Sequence, residues 1–291
     1  MFTIREARWL APHVRWLVVH APRIAKKHKP GHFVIVRVSE QGERIPLTIA
    51  DSHALQGTIT LVVQAIGATT EQLCLLKQGD AILDVVGPLG RETELQNFGH
   101  VVLVGGGVGT AVIYPQAKGL KAAGNKVTAI FGGRSQPYVI MENELGAVCD
   151  QVFPCTDDGS YGYHGFVTGK LAEILDAEPV NAVLTAGPVP MMRAVAEVTR
   201  PKAVLTIASL NPIMVDGTGM CGGCRISVGG KQMFACVDGP EFDAHQVDFR
   251  ELSERLTAYR SLEQAANERL AQDKDHQCRL QAAAAELGGG K

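Results

Sequence analysis

Two rhythms of apolar and polar residues divide the chain. Up to about residue 97, apolar positions come in short runs at 14–19, 32–38, 58–66 and 81–86, punctuated by Pro and Gly. Runs of that length and spacing predict β-strands that close into a small barrel. From residue 101 the rhythm changes. Apolar runs at 101–104, 127–131, 148–153, 182–185 and 203–207 alternate with helical segments, the pattern of a parallel sheet with crossover helices. Beyond 209 the chain becomes rich in Gly and Cys. It then predicts a hairpin of 225–228 and 232–235 turning at Gly229 and Gly230. After 249 a polar stretch rich in Ala, Arg and Glu reads as helix, with no strand pattern. The expected class is β followed by α/β: an antiparallel β-barrel over 1–97, a parallel-sheet domain over 98–208, a small Cys-bearing segment over 209–250 and a helical extension over 251–291.

With 291 residues, 46% hydrophobic and 20% charged, the chain can bury the cores of two compact units plus an appendage. A net charge of −2 supplies no field that would draw it to nucleic acid or an anionic membrane, so neither is expected as a partner. No apolar run reaches the roughly 18 residues of a membrane span, and the opening residues lack a secretory pattern. A cytoplasmic location is therefore expected. Of the seven Cys, Cys221, Cys224 and Cys236 cluster while Cys74, Cys149, Cys155 and Cys278 are scattered. An odd, clustered set suits a metal site in a reducing compartment better than a disulfide framework.

The cluster segment carries the most specific signal. Asp216, Cys221 and Cys224 reproduce the Cys-x4-Cys-x2-Cys spacing of plant-type [2Fe-2S] centres, with Asp in the first place and Cys236 as a more distant fourth ligand. Glycines at 217, 219, 222 and 223 would let the backbone wrap the ion and turn N–H groups toward it. A structural zinc site and a Gly-rich turn with buried thiols are the alternatives, although the second Cys pair or added His of a zinc knuckle is missing. Asp216 also reads as a simple turn former.

The run Gly105, Gly106, Gly107, Val108, Gly109, Thr110 follows a predicted strand and precedes an apolar helix. In that position backbone N–H groups and the helix dipole suit a pyrophosphate, although such glycines also serve tight strand-to-helix packing. Three more loops fall just after predicted strands, where an open parallel sheet lines its ligand crevice. They are Gly132 to Ser135 with Arg134, the loop of Cys155, Asp157 and Asp158, and Ala186-Gly187-Pro188. Arg134 and Ser135 stand where a 2′-phosphate could be held, which keeps NADP(H) open beside NAD(H). Cys155 reads first as a small core residue, and the two Asp equally as turn residues.

In the β-rich half, Arg44, Pro46, Leu47 and Thr48 combine a phosphate-matching guanidinium, a fixed bend and a hydroxyl able to reach a flavin edge. Gly67, Thr69 and Thr70, opening a short helix, and Gly87-Pro88-Leu89-Gly90, closing a strand, add candidate phosphate and turn elements.

The order of these motifs resembles the ferredoxin-NADP reductase superfamily over about residues 1 to 250. Within it the chain is similar to the branch that holds the dihydroorotate dehydrogenase electron-transfer subunit and the small subunit of NADH-dependent reduced ferredoxin:NADP oxidoreductase, also called sulfide dehydrogenase. The resemblance implies an FAD-binding barrel, an NAD-binding sheet and a cluster domain. It implies contacts to FAD from Arg44, Pro46, Leu47, Thr48, Gly67 and Thr69, with Gly105 to Thr110 and the Asp157-Asp158 loop facing NAD. Asp followed by three Cys favours the oxidoreductase branch. There the small subunit passes electrons between NAD(H), FAD and a [2Fe-2S] cluster, and works with a large flavoprotein resembling the glutamate synthase small subunit, with ferredoxin as an indirect partner. The dihydroorotate dehydrogenase subunit is the alternative within the superfamily, and a non-catalytic flavin- or zinc-binding regulatory scaffold the alternative outside it. No acid-base or nucleophilic catalytic group is expected, since the cofactors carry the chemistry. The tail 261–291 extends past the resemblance and reads as a solvated tail with helical spacing, with cover for a partner subunit as the alternative, and Arg23, Lys26, Lys27 and Lys29 read as a solvated basic loop, with steering of a partner as the alternative.

Overall fold

The computed structural model describes residues 1–271. The rest of the tail, Cys278 included, lies outside the described residues.

The first sheet comprises β1 (Phe2–Ala11), β2 (Val14–His20), β3 (Phe33–Arg37), β4 (Arg44–His53), β5 (Thr58–Gln64), β6 (Ala81–Ile82) and β7 (Asp84–Leu89), all antiparallel, in the order β6-β1-β2-β5-β4-β3-β7. Its two outer strands, β6 and β7, are joined by Leu83 alone, whose N–H donates to Val38 O (3.3 Å). The sheet must therefore curl until its edges meet, which makes the expected barrel. Leu17, Val19, Val34, Val36, Ile49, Ile59 and Leu61 fill it, and each such fully buried side chain contributes about 1.5–3 kcal/mol.

Several elements differ from the pattern reading. β1 escaped it because charged Arg5, Glu6 and Arg8 stand among its residues and two irregularities, at Ile4/Glu6 and Trp9/Ala11, break the alternation. The run 81–86 is two strands, split at Leu83. The expected basic loop contains a short helix, α1 (Pro22–Lys27), started by Pro22 and anchored by buried Ile24 and Ala25. Arg23, Lys26 and Lys27 remain exposed on it and Lys29 pairs with Glu92. A second helix, α2 (Ala68–Leu75), covers one side of the barrel.

The second sheet comprises β8 (His100–Gly106), β9 (Lys126–Gly133), β10 (Gln151–Thr156), β11 (Tyr163–His164), β12 (Ala182–Ala186), β13 (Leu205–Ser209) and β16 (Glu241–Asp243), in the order β11-β10-β9-β8-β12-β13-β16. All neighbours are parallel except β16, which runs antiparallel to β13. The segment 209–250 is thus not isolated from this sheet, because β16 forms its edge. Helices α3 (Gly109–Ala122) and α4 (Glu142–Gly146) cover one face through Ile113, Ala117, Leu120 and Leu145. Helices α5 (Val167–Ala177) and α6 (Val189–Thr199) cover the other through Leu171, Ile174 and Val195. The strand expected at 148–153 begins only at Gln151, since the apolar Val148 and Cys149 pack at the end of α4 against the sheet core. That expected at 203–207 begins at Leu205, because Ala203 takes a left-handed conformation after α6 (φ 51°).

A third core joins the two sheets. The hairpin of β14 (Arg225–Val228) and β15 (Lys231–Phe234) turns at Gly229 and Gly230, with φ of 58° and 74°. Positive φ at both central positions is what a type I′ hairpin turn demands. Ile226, Cys224 and Cys236, the last on α7 (Ala235–Asp238), pack with Phe249 and Leu252 of α8 (Phe249–Leu256) and with Phe33 and Ile35 of β3. A further helix, α9 (Arg260–Ala271), returns to α2 on the barrel.

Candidate redox site

In the second sheet β9 and β12 leave β8 in opposite directions, so the carboxyl end of β8 is the switch point where such sheets bind ligands. The glycines there are set by close backbone approach. A Cβ at Gly109 would overlap the Ala186 carbonyl and come 2.8 Å from Gly187 Cα, and one at Gly132 would overlap the Cys155 carbonyl. Gly107 needs its glycine for conformation, with φ 54° and open space around it. Its N–H is spent on Gly132 O (2.8 Å), which ties the turn after β8 to the end of β9.

A cleft of about 1030 Å3 opens at this point and runs on to the barrel wall. Pro46, Leu47 and Thr48 of β4 and Val62 and Gln64 of β5 line it on the barrel side. Gly106, Gly107, Gly109, Gly133, Arg134, Asp157, Gly187 and Pro188 line it on the sheet side, and Ser209, Leu210, Asn211, Met214 and Pro240 at its end. Of the residues expected to hold cofactors, Pro46, Leu47, Thr48, Gly106, Gly107, Gly109 and Asp157 thus share one cavity. Arg44, Gly67, Thr69, Thr70, Gly87, Gly90, Gly105, Thr110 and Asp158 do not line it.

Their positions have local reasons. Thr70 Oγ1 accepts from the Gly67 and Ile66 N–H groups (3.0 and 3.1 Å) and donates to Gly67 O (2.9 Å), which closes the first turn of α2. Thr69 Oγ1 donates to Glu43 Oε2 (3.2 Å), which ties the residue before Arg44 to the same turn. Exposed Arg44 and the start of α2 are therefore neighbours on the barrel wall. Gly90 lets the chain pass the Phe33 ring and Pro240, where a Cβ would come within 2.9 and 3.0 Å. Asp158 is a turn residue: its Oδ1 accepts from Ser160 N–H and Oγ–H (2.9 and 2.6 Å), and these bonds hold its carboxyl below the usual range. Asp157 lines the cleft. Cys155 is core at the edge of the cleft, and burial pushes its thiol up to about 12, which disfavours the thiolate.

Sequence reading missed Phe33, Gln64, Met191, Met214 and Pro240 as cleft residues. Gln64 had a signal, a polar residue closing a strand directly after the apolar Leu61, Val62 and Val63. The others are apolar residues whose place is set by the packing of one sheet on the other.

The cluster loop lies beyond Met214. Glycines 217, 219 and 222 all take left-handed conformations (φ 76°, 83° and 68°), and a Cβ at Gly217 would sit 2.6 Å from Leu89 of β7. The loop is thereby pressed against the barrel strands. Cys224 and Cys236 meet in the third core, sulfur to sulfur 3.2 Å. Burial first, and the Cys224 thiol second, push Cys236 up to about 12. Asp216 accepts from the Thr218 and Cys221 N–H groups (2.9 and 3.0 Å) and is held ionised by them. Cys221 is exposed, and its sulfur accepts from Gly223 N–H (3.5 Å). Among the described residues no three His, Cys, Asp or Glu side chains converge at metal-holding distance. The structure joins Cys224 to Cys236, and joins Asp216 to Cys221 through the backbone.

The donor chemistry fits an iron-sulfur centre. Asp216, Cys221 and Cys224 stand on one glycine-wound loop and Cys236 follows the hairpin onto α7, and a soft metal that binds thiolates would supply the charge that a buried sulfur pair at 3.2 Å needs.

The model of the iron-sulfur cluster binding domain of dihydroorotate dehydrogenase B matches residues 211–248. A Thermotoga maritima protein, the dihydroorotate dehydrogenase B (NAD(+)) electron transfer subunit homolog, is 48% identical over 86% of this chain and 89% of its own. The corresponding subunit of Geobacillus kaustophilus is 31% identical over 84% of this chain and 96% of its own. A structure solved for flavin-based electron bifurcation by NADH-dependent reduced ferredoxin-NADP oxidoreductase superposes with a TM-score of 0.89 at 44% identity, covering 94% of this chain and 98% of the other.

Proposed function

The chain belongs to the family of dihydroorotate dehydrogenase B electron-transfer subunits, of the ferredoxin-NADP reductase superfamily, and from that premise we propose that it passes electrons between NAD(H) and a partner subunit through FAD and a [2Fe-2S] cluster. One observation carries this reading: a single cleft connects Thr48 and Gln64 on the barrel, the β8 switch point and Met214, two positions before Asp216.

FAD, when bound, supplies the conversion of a two-electron hydride into single electrons that a two-iron cluster can carry. The chain's own residues hold and order the parts. Pro46, Leu47 and Thr48 give the isoalloxazine a wall with one hydroxyl, and Arg44 with the first turn of α2 offers charge and N–H groups for its phosphates. Gly106, Gly107 and Gly109 keep the β8 turn low enough for a dinucleotide backbone to approach, and Asp157 reaches the ribose. Asp216, Cys221, Cys224 and Cys236 hold the cluster. Apolar Phe33, Leu47 and Val62 line the cleft and would keep water from the face where a nicotinamide and the flavin ring meet.

The partner we propose is a large flavoprotein that resembles the glutamate synthase small subunit, with ferredoxin reached through it. Asp216 in the first ligand place supports this over a dihydroorotate-oxidising companion. Anaerobic purification with any bound subunit tests the proposal. Flavin and cluster absorption bleached by NADH, and a glutamate-synthase-like companion, are expected. A dihydroorotate-oxidising companion would transfer the assignment to that enzyme, and flavin without iron or NADH bleaching would reduce the chain to a scaffold.

A further inference from the structure

Helix α8 is fixed at its start by Asp248, which accepts from the Arg250 and Glu251 N–H groups (3.0 and 2.9 Å), and by Phe249 and Leu252 in the core that holds Cys224 and Cys236. Its last turn carries Arg255 onto the cluster loop. One Nη of Arg255 donates to Gly223 O (3.2 Å), the carbonyl between Cys221 and Cys224. Its Nε is buried and has no hydrogen-bond partner among the described residues.

The charges around the loop are unequal. Arg91, beside Cys236 through Val237 O (3.0 Å), is offset by Asp238. Arg250 and Glu254, on α8 itself, pair with each other. Asp216 is the loop's own anion. Arg225 lies against Gly222, where a Cβ would come 3.0 Å from its Nη1. Neither Arg225 nor Arg255 has a carboxylate within ion-pair distance among the described residues. Arg255 differs from Arg225 in offering a desolvated donor as well as a charge, and a buried N–H without a partner is costly unless something accepts from it.

We propose that Arg255 is a positioning residue that sets the cluster's reduction potential, holding the Cys221–Cys224 loop through Gly223 and lending it a positive charge that no carboxylate among the described residues offsets. The inference rests on the cluster assignment above. One-electron reduction, with the reduced flavin of the same chain as donor, makes the cluster more negative by one charge. A nearby guanidinium favours that form, and hydrogen bonding and net charge are what tune such centres. Arg255 therefore makes the cluster a better electron acceptor.

The test is an EPR-monitored redox titration of the anaerobically purified full chain with any bound partner, for the wild type, Arg255→Gln, Arg255→Met, Arg255→Lys and, as a control on the same helix, Arg250→Gln. The neutral Gln and Met variants are expected to shift the midpoint to more negative potential at unchanged iron content. The Lys variant should recover most of the shift, and the Arg250 variant should show none. Equal midpoints in all variants, or equal shifts in the Lys and Met variants, would overturn the proposal. So would loss of iron from the neutral variants with flavin retained, since Arg255 would then be scaffold only. A wild type without iron would instead remove the cluster assignment itself.

Discussion

The sulfurs of Cys224 and Cys236 lie 3.2 Å apart, buried, with a hairpin between them. The hairpin of β14 and β15 brings the two ends together, and the core of Phe33, Ile35, Phe249 and Leu252 holds them. Replacing either with Ser should remove iron while leaving the flavin bands. Cys155→Ser, on the dinucleotide sheet, should leave iron unchanged. Asp216→Ala, which loses the proposed ligand oxygen and the bonds from Thr218 and Cys221, should also lower iron per chain. Metal analysis of the purified variants reads all of these.

Gly107 and Gly109 sit two residues apart and should respond differently. At Gly107 an Ala meets no atom and costs about 1 kcal/mol of left-handed strain. The fold should persist, with a higher KM for NADH because a methyl enters the cleft. At Gly109 the same methyl overlaps backbone at Ala186, so the variant should unfold at lower temperature or fail to accumulate. Thermal denaturation with NADH kinetics separates them.

Thr70→Val keeps the shape of the side chain and removes the hydroxyl that closes the start of α2. The expected loss is about 1 kcal/mol, as for other helix caps, together with faster flavin release if Arg44 and this turn hold the phosphates. Urea denaturation measures the first effect and flavin fluorescence on dilution the second.

Glu241 joins three parts of the molecule. Its Oε1 accepts from Thr93 Oγ1 after the barrel (2.7 Å) and from Gln116 Nε2 of α3 (2.5 Å), while its backbone lies in β16. Desolvation raises its carboxyl above the usual value of 4.5. The folded protein therefore holds the proton more tightly than the unfolded chain, and stability falls as pH rises from the unfolded value through the folded one. Glu241→Gln, whose amide oxygen can accept the same bonds, should abolish that fall. Urea midpoints of both proteins between about pH 5 and pH 8 should diverge in favour of the variant as pH rises.

Much of this architecture was legible in the sequence, for identifiable reasons. Strands β2, β3, β5, β8, β9 and β12 were readable because each is apolar on the face or faces it buries, and the Gly229-Gly230 hairpin because its turn admits almost no other residues. The cysteine spacing marked the cluster loop. β1 was hidden by its charged exposed positions and bulges, and α1 by its basic exposed face. The cleft residues Phe33, Met214 and Pro240 look like any core residue until the barrel and the sheet are packed together. Arg255 carries no local signal at all, since only the fold of α8 against the hairpin sets it on Gly223. Asp158 shows the reverse, a residue type that suits a ribose but is used here to tie Ser160.

The account stands on a two-iron centre held by Asp216, Cys221, Cys224 and Cys236. The most direct measurement is iron and acid-labile sulfide content together with the EPR spectrum of the anaerobically purified, NADH-reduced protein. The account predicts about two irons and two sulfides per chain and a paramagnetic reduced cluster whose signal disappears in Cys224→Ser. Zinc in place of iron, or a reduced-state signal that survives that substitution, would contradict it.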